Sequence, residues 1–389
     1  MIYLDNASTT KIDTSVAAAM IPYLKEEYGN PGTLYALGRR AKDAIDNARK
    51  HVADFIGARP EQIIFTSGGT EANNMVFRCT LRHLIQNNKT HIVASAVEHD
   101  SVFRALSSLS HETCITASFA KPNQSGVVEA RSVENEIVDG IAGTGLVSVM
   151  YMNNETGAEN PVDEIGILCK ERGILFHTDC VQAAGCCRLD VDKLHCDFLS
   201  ISSHKIHGPK GVGALYVRDP SILEPLISGG SAQEFGLRGG TENVAGIVGF
   251  GTACALMRSI LRAVDAHTST MKQQFYNELS ERLKDTGLAG IMHVNGDLVI
   301  KHGKTLNLRF DGVDGETLLL MLDADGVCVS AGSACRSHES QPSHVLLAMG
   351  IDPEDARNSI RVSFSKMNTE AEVKQAAKIM AHCVASLRP

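Results

Sequence analysis

No apolar run in the 389 residues reaches membrane-spanning length, and the opening residues lack a basic-then-apolar leader. Internal repeats and low-complexity tracts are absent as well. Positive charge is in deficit, with 37 Lys and Arg against 45 Asp and Glu and a formal net charge of -8. That balance gives no bulk attraction to nucleic acid or to an anionic membrane, so neither is expected as a direct partner. The eleven cysteines are scattered, without the dense spacing of a secreted disulfide scaffold. Free thiols in a reducing, cytoplasmic setting are expected instead. Cys186, Cys187 and Cys196, with His195 nearby, do not reproduce the C-x2-C knuckle of a zinc site, so no metal is expected. Cys180 reads as a small buried filler.

What is present is a chain too long for one small core, with 43% apolar residues. Two domains in intimate contact are expected: a large one over 15–262, and a smaller one from 1–14 and 263–389. Short apolar runs alternate with helical patterns from about residue 60 to 217. Ile63 to Thr66, Ile92 to Val97, Leu146 to Met152, Ile174 to His177, Asp197 to Ile201 and Val212 to Val217 read as strands. Ala44, Ile45, Ala48, Val52, Phe55 and Ile56 recur at helical spacing before Gly57. The alternation predicts an α/β domain with a mostly parallel sheet, whose ligands bind beyond the carboxyl ends of the strands. In the second domain Leu306 to Phe310, Val327 to Ser330 and Ser359 to Phe364 read as strands. Glu316 to Asp323 reads as a helix, and Met271, Phe275, Leu279 and Leu283 share one face of a longer one.

Chemistry-bearing residues gather just after these strands. Ser67-Gly68-Gly69-Thr70 joins a strand to a helix that begins near Glu71. Glycine lets backbone approach an anion there, and a helix start presents unpaired N–H groups. Lys205 stands in the polar turn Ser202 to Gly211, among hydroxyl and imidazole groups. A lysine in such a turn is ordinarily just solvated, but it can also trap an aldehyde such as pyridoxal phosphate. Asp179 ends an earlier apolar run and could face the pyridine nitrogen of that cofactor. His99 alone would read as a structural histidine, and Arg361 alone as half of a buried ion pair. Cys335 lies in the small, polar run Ala331 to Ser343, which reads as exposed and mobile, with Arg336 and His338 able to favour a thiolate.

Seven motifs in order carry a resemblance that runs from Tyr3 to about residue 380. They are Ser67-Gly68-Gly69-Thr70-Glu71, Glu98-His99, Asn153-Asn154-Glu155-Thr156-Gly157, Asp179 with Gln182, His204-Lys205, Arg238-Gly239-Gly240-Thr241 and Ser333-Ala334-Cys335. In these the chain resembles the pyridoxal-phosphate-dependent cysteine desulfurases of the NifS/IscS-like group. The resemblance implies fold type I, the aspartate-aminotransferase-like α/β fold with a large and a smaller domain. It implies that Lys205 carries the cofactor and moves the α-proton, that His99 stacks on the ring and moves protons, and that Asp179 keeps the pyridine protonated. Gln182 would bond the phenolic oxygen. Gly69, Thr70, Ser202, His204 and a partner chain's Thr241 would hold the phosphate. Asn154 and Arg361 would take the carboxylate of L-cysteine, and Cys335 would collect its sulfur as a persulfide. The opening Asp5 to Thr10 would line the mouth of the site, although Asn6 stands where relatives more often carry an aromatic residue.

A homodimer and a sulfur-acceptor protein are the implied partners. The pathway is DNA phosphorothioation, iron–sulfur assembly or tRNA thiolation. Housekeeping members commonly extend past their last helix, whereas this chain stops at Leu387-Arg388-Pro389, which puts a specialised acceptor, such as one of DNA phosphorothioation, at least level with the housekeeping one. An aminotransferase or selenocysteine lyase of the same fold is the competing enzyme, and a sulfur-carrier scaffold the non-enzymatic reading. Borohydride treatment of the purified, yellow protein should fix the cofactor on Lys205 by peptide mass spectrometry; an adduct on Lys210 would overturn the assignment.

Overall fold

The computed structural model describes residues 1–230, 232–298, 302–331 and 342–388. Among the described residues twelve strands form three sheets: β1 (Ile2–Tyr3), β2 (Ile63–Thr66), β3 (His91–Ser95), β4 (Thr116–Ala120), β5 (Thr144–Ser148), β6 (Leu175–Asp179), β7 (Phe198–Ser202), β8 (Gly213–Val217), β9 (Met292–Val294), β10 (Thr305–Phe310), β11 (Val327–Cys328) and β12 (Ser359–Ser363). The largest sheet has the order β2-β8-β7-β6-β5-β3-β4. Neighbours from β7 to β4 pair in parallel, while β8 is antiparallel to both β7 and β2. The mostly parallel sheet read from the alternation is therefore present. Because β8 reverses twice, β2 runs in the same direction as β7. The carboxyl ends of β2, β3, β5, β6 and β7 consequently share one edge.

Burial explains why these runs read as continuous and not alternating. Every residue of β2, β3, β5, β7 and β8 is buried, as expected for a sheet covered on both faces. Helix ends follow local chemistry. Helix Ala36–Ile56 stops at Gly57 with φ 72°, where a side chain would be strained. The last helix, Glu370–Leu387, starts with a reciprocal capping box between Thr369 and Glu372. The strand expected over Leu146 to Met152 is shorter, because Asn153 draws the chain into a turn by accepting from the Glu155 and Thr156 amides.

A 42-residue helix, Val244–Asp285, crosses from the first core to the second. Its Phe250, Ala253, Cys254 and Met257 pack with the large sheet, whereas Met271, Phe275, Leu279 and Leu283 pack with β10, β12 and the last helix. Its length and composition would also suit a membrane span, but half of its most apolar 18-residue window is buried, and it packs on helices Thr14–Lys25, Ala36–Ile56 and Glu370–Leu387 as a core helix does. The smaller sheet has order β12-β10-β9, and β1 pairs in parallel with β11, so the amino terminus belongs to the second core. Val345, Leu346, Met349 and Ala356 return from the C-terminal part to the first core.

One buried ion pair holds the glycine-rich segment to the large sheet. The Arg49 guanidinium meets Glu234 at 2.6 Å and 2.9 Å, and Glu234 also accepts from the Phe65 amide at 2.7 Å. Both Glu234 and Phe235 take positive φ, 41° and 56°, to make this approach. Removing one partner leaves the other charged and buried. Glu234→Ala should therefore cost about 3–5 kcal/mol in urea unfolding; a loss under about 1 kcal/mol would show that the pair is not needed.

Candidate active site

The shared strand edge delivers side chains to one cavity of about 200 Å³. Gly69 and Thr70 come from the turn after β2, His99 from after β3, Asn154 from after β5, Asp179 and Gln182 from the end of β6, and Ser202, His204 and Lys205 from the end of β7. Ala7 and Ser8 reach in from the amino terminus and Arg361 from β12. Of the expected site residues, Thr241 is exposed and lines no part of this cavity. Cys335 lies outside the described residues. Asn6 is buried away from the cavity, with its amide on Ser363 and Asn368.

The anion-binding end rests on glycine. Gly68 holds φ 153° and ψ -177°, a conformation essentially reserved for glycine. A Cβ on Gly69 would come within 2.7 Å of Val181 Cγ2. Among the described residues no side chain caps the helix Gly69–Cys79 that starts there, so its first amides are left for an anion. Ser202 and His204 border the same end, beside Lys210. His204 contacts Thr9 Oγ1 at 3.1 Å; burial and the nearby Lys205 push its imidazole down to about 3, which keeps it neutral.

At the other end a hydrogen-bonded chain ties Asp179 to His99. The Asn73 amide donates to Asp179 Oδ2 at 2.7 Å and to Ser101 Oγ at 2.9 Å. Ser101 holds His99: its amide donates to His99 Nδ1 at 3.1 Å, and its hydroxyl lies 2.8 Å from the same atom. An accepting Nδ1 puts the proton of neutral His99 on Nε2. Asp179 Oδ1 is held by the Val181 amide at 2.9 Å. Sequence reasoning did not identify Asn73 or Ser101. Their signal was present but slight: Asn73 lies one helical turn past Thr70, and Ser101 two residues past His99.

Lys205 Nζ donates to the carbonyls of Ala7 at 2.5 Å and Ser8 at 2.8 Å. Gln182 Nε2 donates to the same Ala7 carbonyl at 2.9 Å. Arg361 is only 2% exposed and spans three segments, donating to the Asn154 carbonyl at 2.8 Å, Asp5 Oδ1 at 2.9 Å and Ser8 Oγ at 2.6 Å. Gln182 Oε1, Asn154 Oδ1 and Arg361 Nε are buried with no partner among the described residues. These orphaned atoms, the glycine cradle, the amine and the carboxylate fit pyridoxal phosphate with an amino-acid substrate.

The described flanks of residues 332–341 are anchored at this site. Ser330 exchanges backbone hydrogen bonds with Arg361. Ser343 donates to Glu155 at 2.5 Å, next to Asn154, and His344 bonds the Glu98 carbonyl at 2.9 Å.

Comparison with known proteins is consistent with this geometry. The class-V aminotransferase family profile matches residues 2–376. A cysteine desulfurase of Nostoc sp. (strain PCC 7120) is 41% identical over 390 residues, covering 100% of this chain and 94% of that protein. Among solved structures, a NifS-like protein superposes with a TM-score of 0.88 at 34% identity, covering 98% of each chain. A structure of SspA in complex with cysteine gives 0.79 at 32% identity, covering 95% of this chain and 100% of that one.

Glu98, fully buried behind Asp179, sets a pH response. Burial pushes its carboxyl up to about 8; the Ser95 hydroxyl and Met150 amide oppose that rise and the Asp179 charge adds to it. A carboxyl raised above its ordinary 4.5 binds its proton more tightly in the folded state than in the unfolded. Its contribution to stability is therefore present at low pH and is lost as pH rises from about 4.5 to about 8. Glu98→Gln keeps the acceptor but cannot ionise. Relative to the parent it should gain on the order of a few kcal/mol between pH 5 and pH 8 in urea unfolding; parallel pH profiles would refute a raised Glu98.

Proposed function

The chain belongs to the class-V aminotransferase family and, within it, to the NifS/IscS-like cysteine desulfurases, and from that premise we propose the reaction it carries out. L-cysteine is converted to L-alanine, and its sulfur is held as a persulfide on Cys335 before passing to an acceptor protein. One observation carries the reading: Lys205, Asp179, His99 and Arg361 surround a single cavity, and both flanks of the segment bearing Cys335 are tied to its rim.

Pyridoxal phosphate, when bound, supplies an electron sink next to the substrate α-carbon. Lys205 would hold it through its amine and, once released by substrate, take the α-proton. Asp179, oriented by Asn73 and the Val181 amide, would face the pyridine nitrogen. Gly69, Thr70, Ser202 and His204 would hold the phosphate, and neutral His204 could donate without adding charge repulsion against Lys205. Gln182 has one amide N–H on Ala7 and another to offer the phenolic oxygen. His99, locked by Ser101, presents Nε2 for proton transfer to and from the substrate.

Arg361 with Asn154 would receive the substrate carboxylate. Here the guanidinium already faces Asp5 and Ser8, so an incoming carboxylate shares or displaces the Asp5 contact. The Cys335 thiolate then attacks the substrate sulfur. The Cβ–S bond breaks as the S–S bond forms, and the carbon skeleton takes up protons and leaves as alanine. Exposed Thr241 is read as reaching a second copy's phosphate site, which makes the active form a homodimer. DNA phosphorothioation or iron–sulfur and tRNA thiolation follows from which acceptor collects the sulfur.

Single turnover with L-cysteine should give one alanine and one sulfane sulfur per dimeric subunit, with the sulfur mapped to Cys335 by mass spectrometry. Cys335→Ala should lose the protein-bound sulfur while retaining the cofactor absorbance. A keto acid with cofactor left in its amine form would instead establish a transaminase.

A further inference from the structure

A second cluster of donor side chains lies away from the cofactor cavity, where the two cores meet. Glu159 follows the Asn153–Gly157 turn, Cys187 follows the short turn Ala183–Gly185, and His302 precedes β10. One ligand atom from each lies within 4.8 Å of the other two. The residues are far apart in sequence; Cys187 belonged to the Cys186, Cys187, Cys196 and His195 group for which no metal was expected, but its neighbours here are Glu159 and His302. Only the fold brings a thiol, an imidazole and a carboxylate together here.

Two independent features suit this group to a cation. First, His302 is oriented from outside: its Nδ1 lies 2.8 Å from Asp265 Oδ2 on the long helix. A carboxylate on one ring nitrogen fixes the tautomer and leaves Nε2 as a ligand, the usual second sphere of a metal-bound histidine. Second, the donors span the softness range that zinc-class ions accept. A thiolate disfavours magnesium and calcium, and nitrogen and carboxylate oxygen complete a three-ligand set. Tetrahedral zinc holds its ligand atoms roughly 3.3–3.8 Å apart, so binding would draw the triad in by about 1 Å.

We propose that Glu159, Cys187 and His302 form a binding site for a zinc-class divalent cation, with Asp265 as the residue that positions His302. On coordination the Cys187 thiol gives its proton to solvent and forms the sulfur–metal bond; no electron is transferred. Water takes the fourth position, since Glu159 and His302 are only partly buried. Cys186, 4.0 Å from Cys187, remains turned toward Met152 and the Gln182 carbonyl. The ion would clip the turn after Asn154 to the segment leading into β10, joining the two cores beside the cavity.

The test uses the full-length Cys335→Ala protein loaded with pyridoxal phosphate, so that the reactive thiol contributes nothing. After chelator treatment and dialysis, Co2+ is added and followed by absorbance, and Zn2+ uptake is measured by elemental analysis. One ion per chain is expected, with a thiolate-to-cobalt charge-transfer band and a higher melting temperature. His302→Ala and Cys187→Ser should each abolish the band. Asp265→Asn should weaken Zn2+ affinity about 10- to 100-fold. No uptake at micromolar metal, or a cobalt band that survives in His302→Ala, would overturn the assignment. His302 is partly exposed, so that variant should still fold, and its cofactor absorbance checks this.

Discussion

Arg361 is the cation around which the two cores are assembled. Its guanidinium is almost fully buried and donates to Asp5 and Ser8 of the amino terminus and to the Asn154 carbonyl of the large domain, while its backbone belongs to β12 and pairs with Ser330. A buried guanidinium is costly unless its donors are met, and its two amino groups are met only when the amino terminus and the turn after β5 are brought to β12 together. The amino-terminal turn is therefore held across the cavity mouth, where the Ala7 and Ser8 carbonyls in turn receive Lys205. The charge that would bind a substrate carboxylate is also the charge that assembles its site.

The direction of the strands is the second constraint. A parallel pair must return by a crossover, so each strand from β3 to β7 ends on the same edge and releases its chain there. The single antiparallel member, β8, restores β2 to that direction and brings the Gly68 turn beside Ser202. Gly213 on β8 lets this happen: a Cβ there would lie 2.8 Å from Gly68 Cα. The anion cradle thus depends on two glycines in different motifs, one shaping the turn and one admitting it.

Polar groups inside the fold are managed by pairing or by neutrality. His177, under the sheet between Ser148 and Ser200, is pushed by burial down to about 3 and stays uncharged. Glu98 takes the opposite route: burial raises its carboxyl, so it holds its proton behind Asp179, which lines the cavity. Desolvation raises the thiols of Cys79, Cys169, Cys180, Cys196 and Cys254, which makes them poor nucleophiles. The composition around Cys335, by contrast, is small and polar.

The alternation of apolar runs with helical spacing, read without coordinates, was enough for the α/β class and for the strand ends that carry Thr70, His99, Asp179 and Lys205. Buried parallel strands must be apolar on both faces, so that signal is local. The motif order likewise pointed to the family and to most of the residues now seen around one cavity. Three features needed the tertiary structure. Asn73 and Ser101 act through a chain of hydrogen bonds whose members come from two helices and a strand, and no spacing encodes that contact. Asp5 meets Arg361 across 356 positions, a pairing set by the return of β12 beside the amino terminus. Glu159, Cys187, Asp265 and His302 read as unrelated residues along the chain; packing of the long helix across both cores brings them together. Sequence carries what depends on neighbours along the chain, whereas contacts between distant segments exist only once desolvation and packing have chosen a single arrangement.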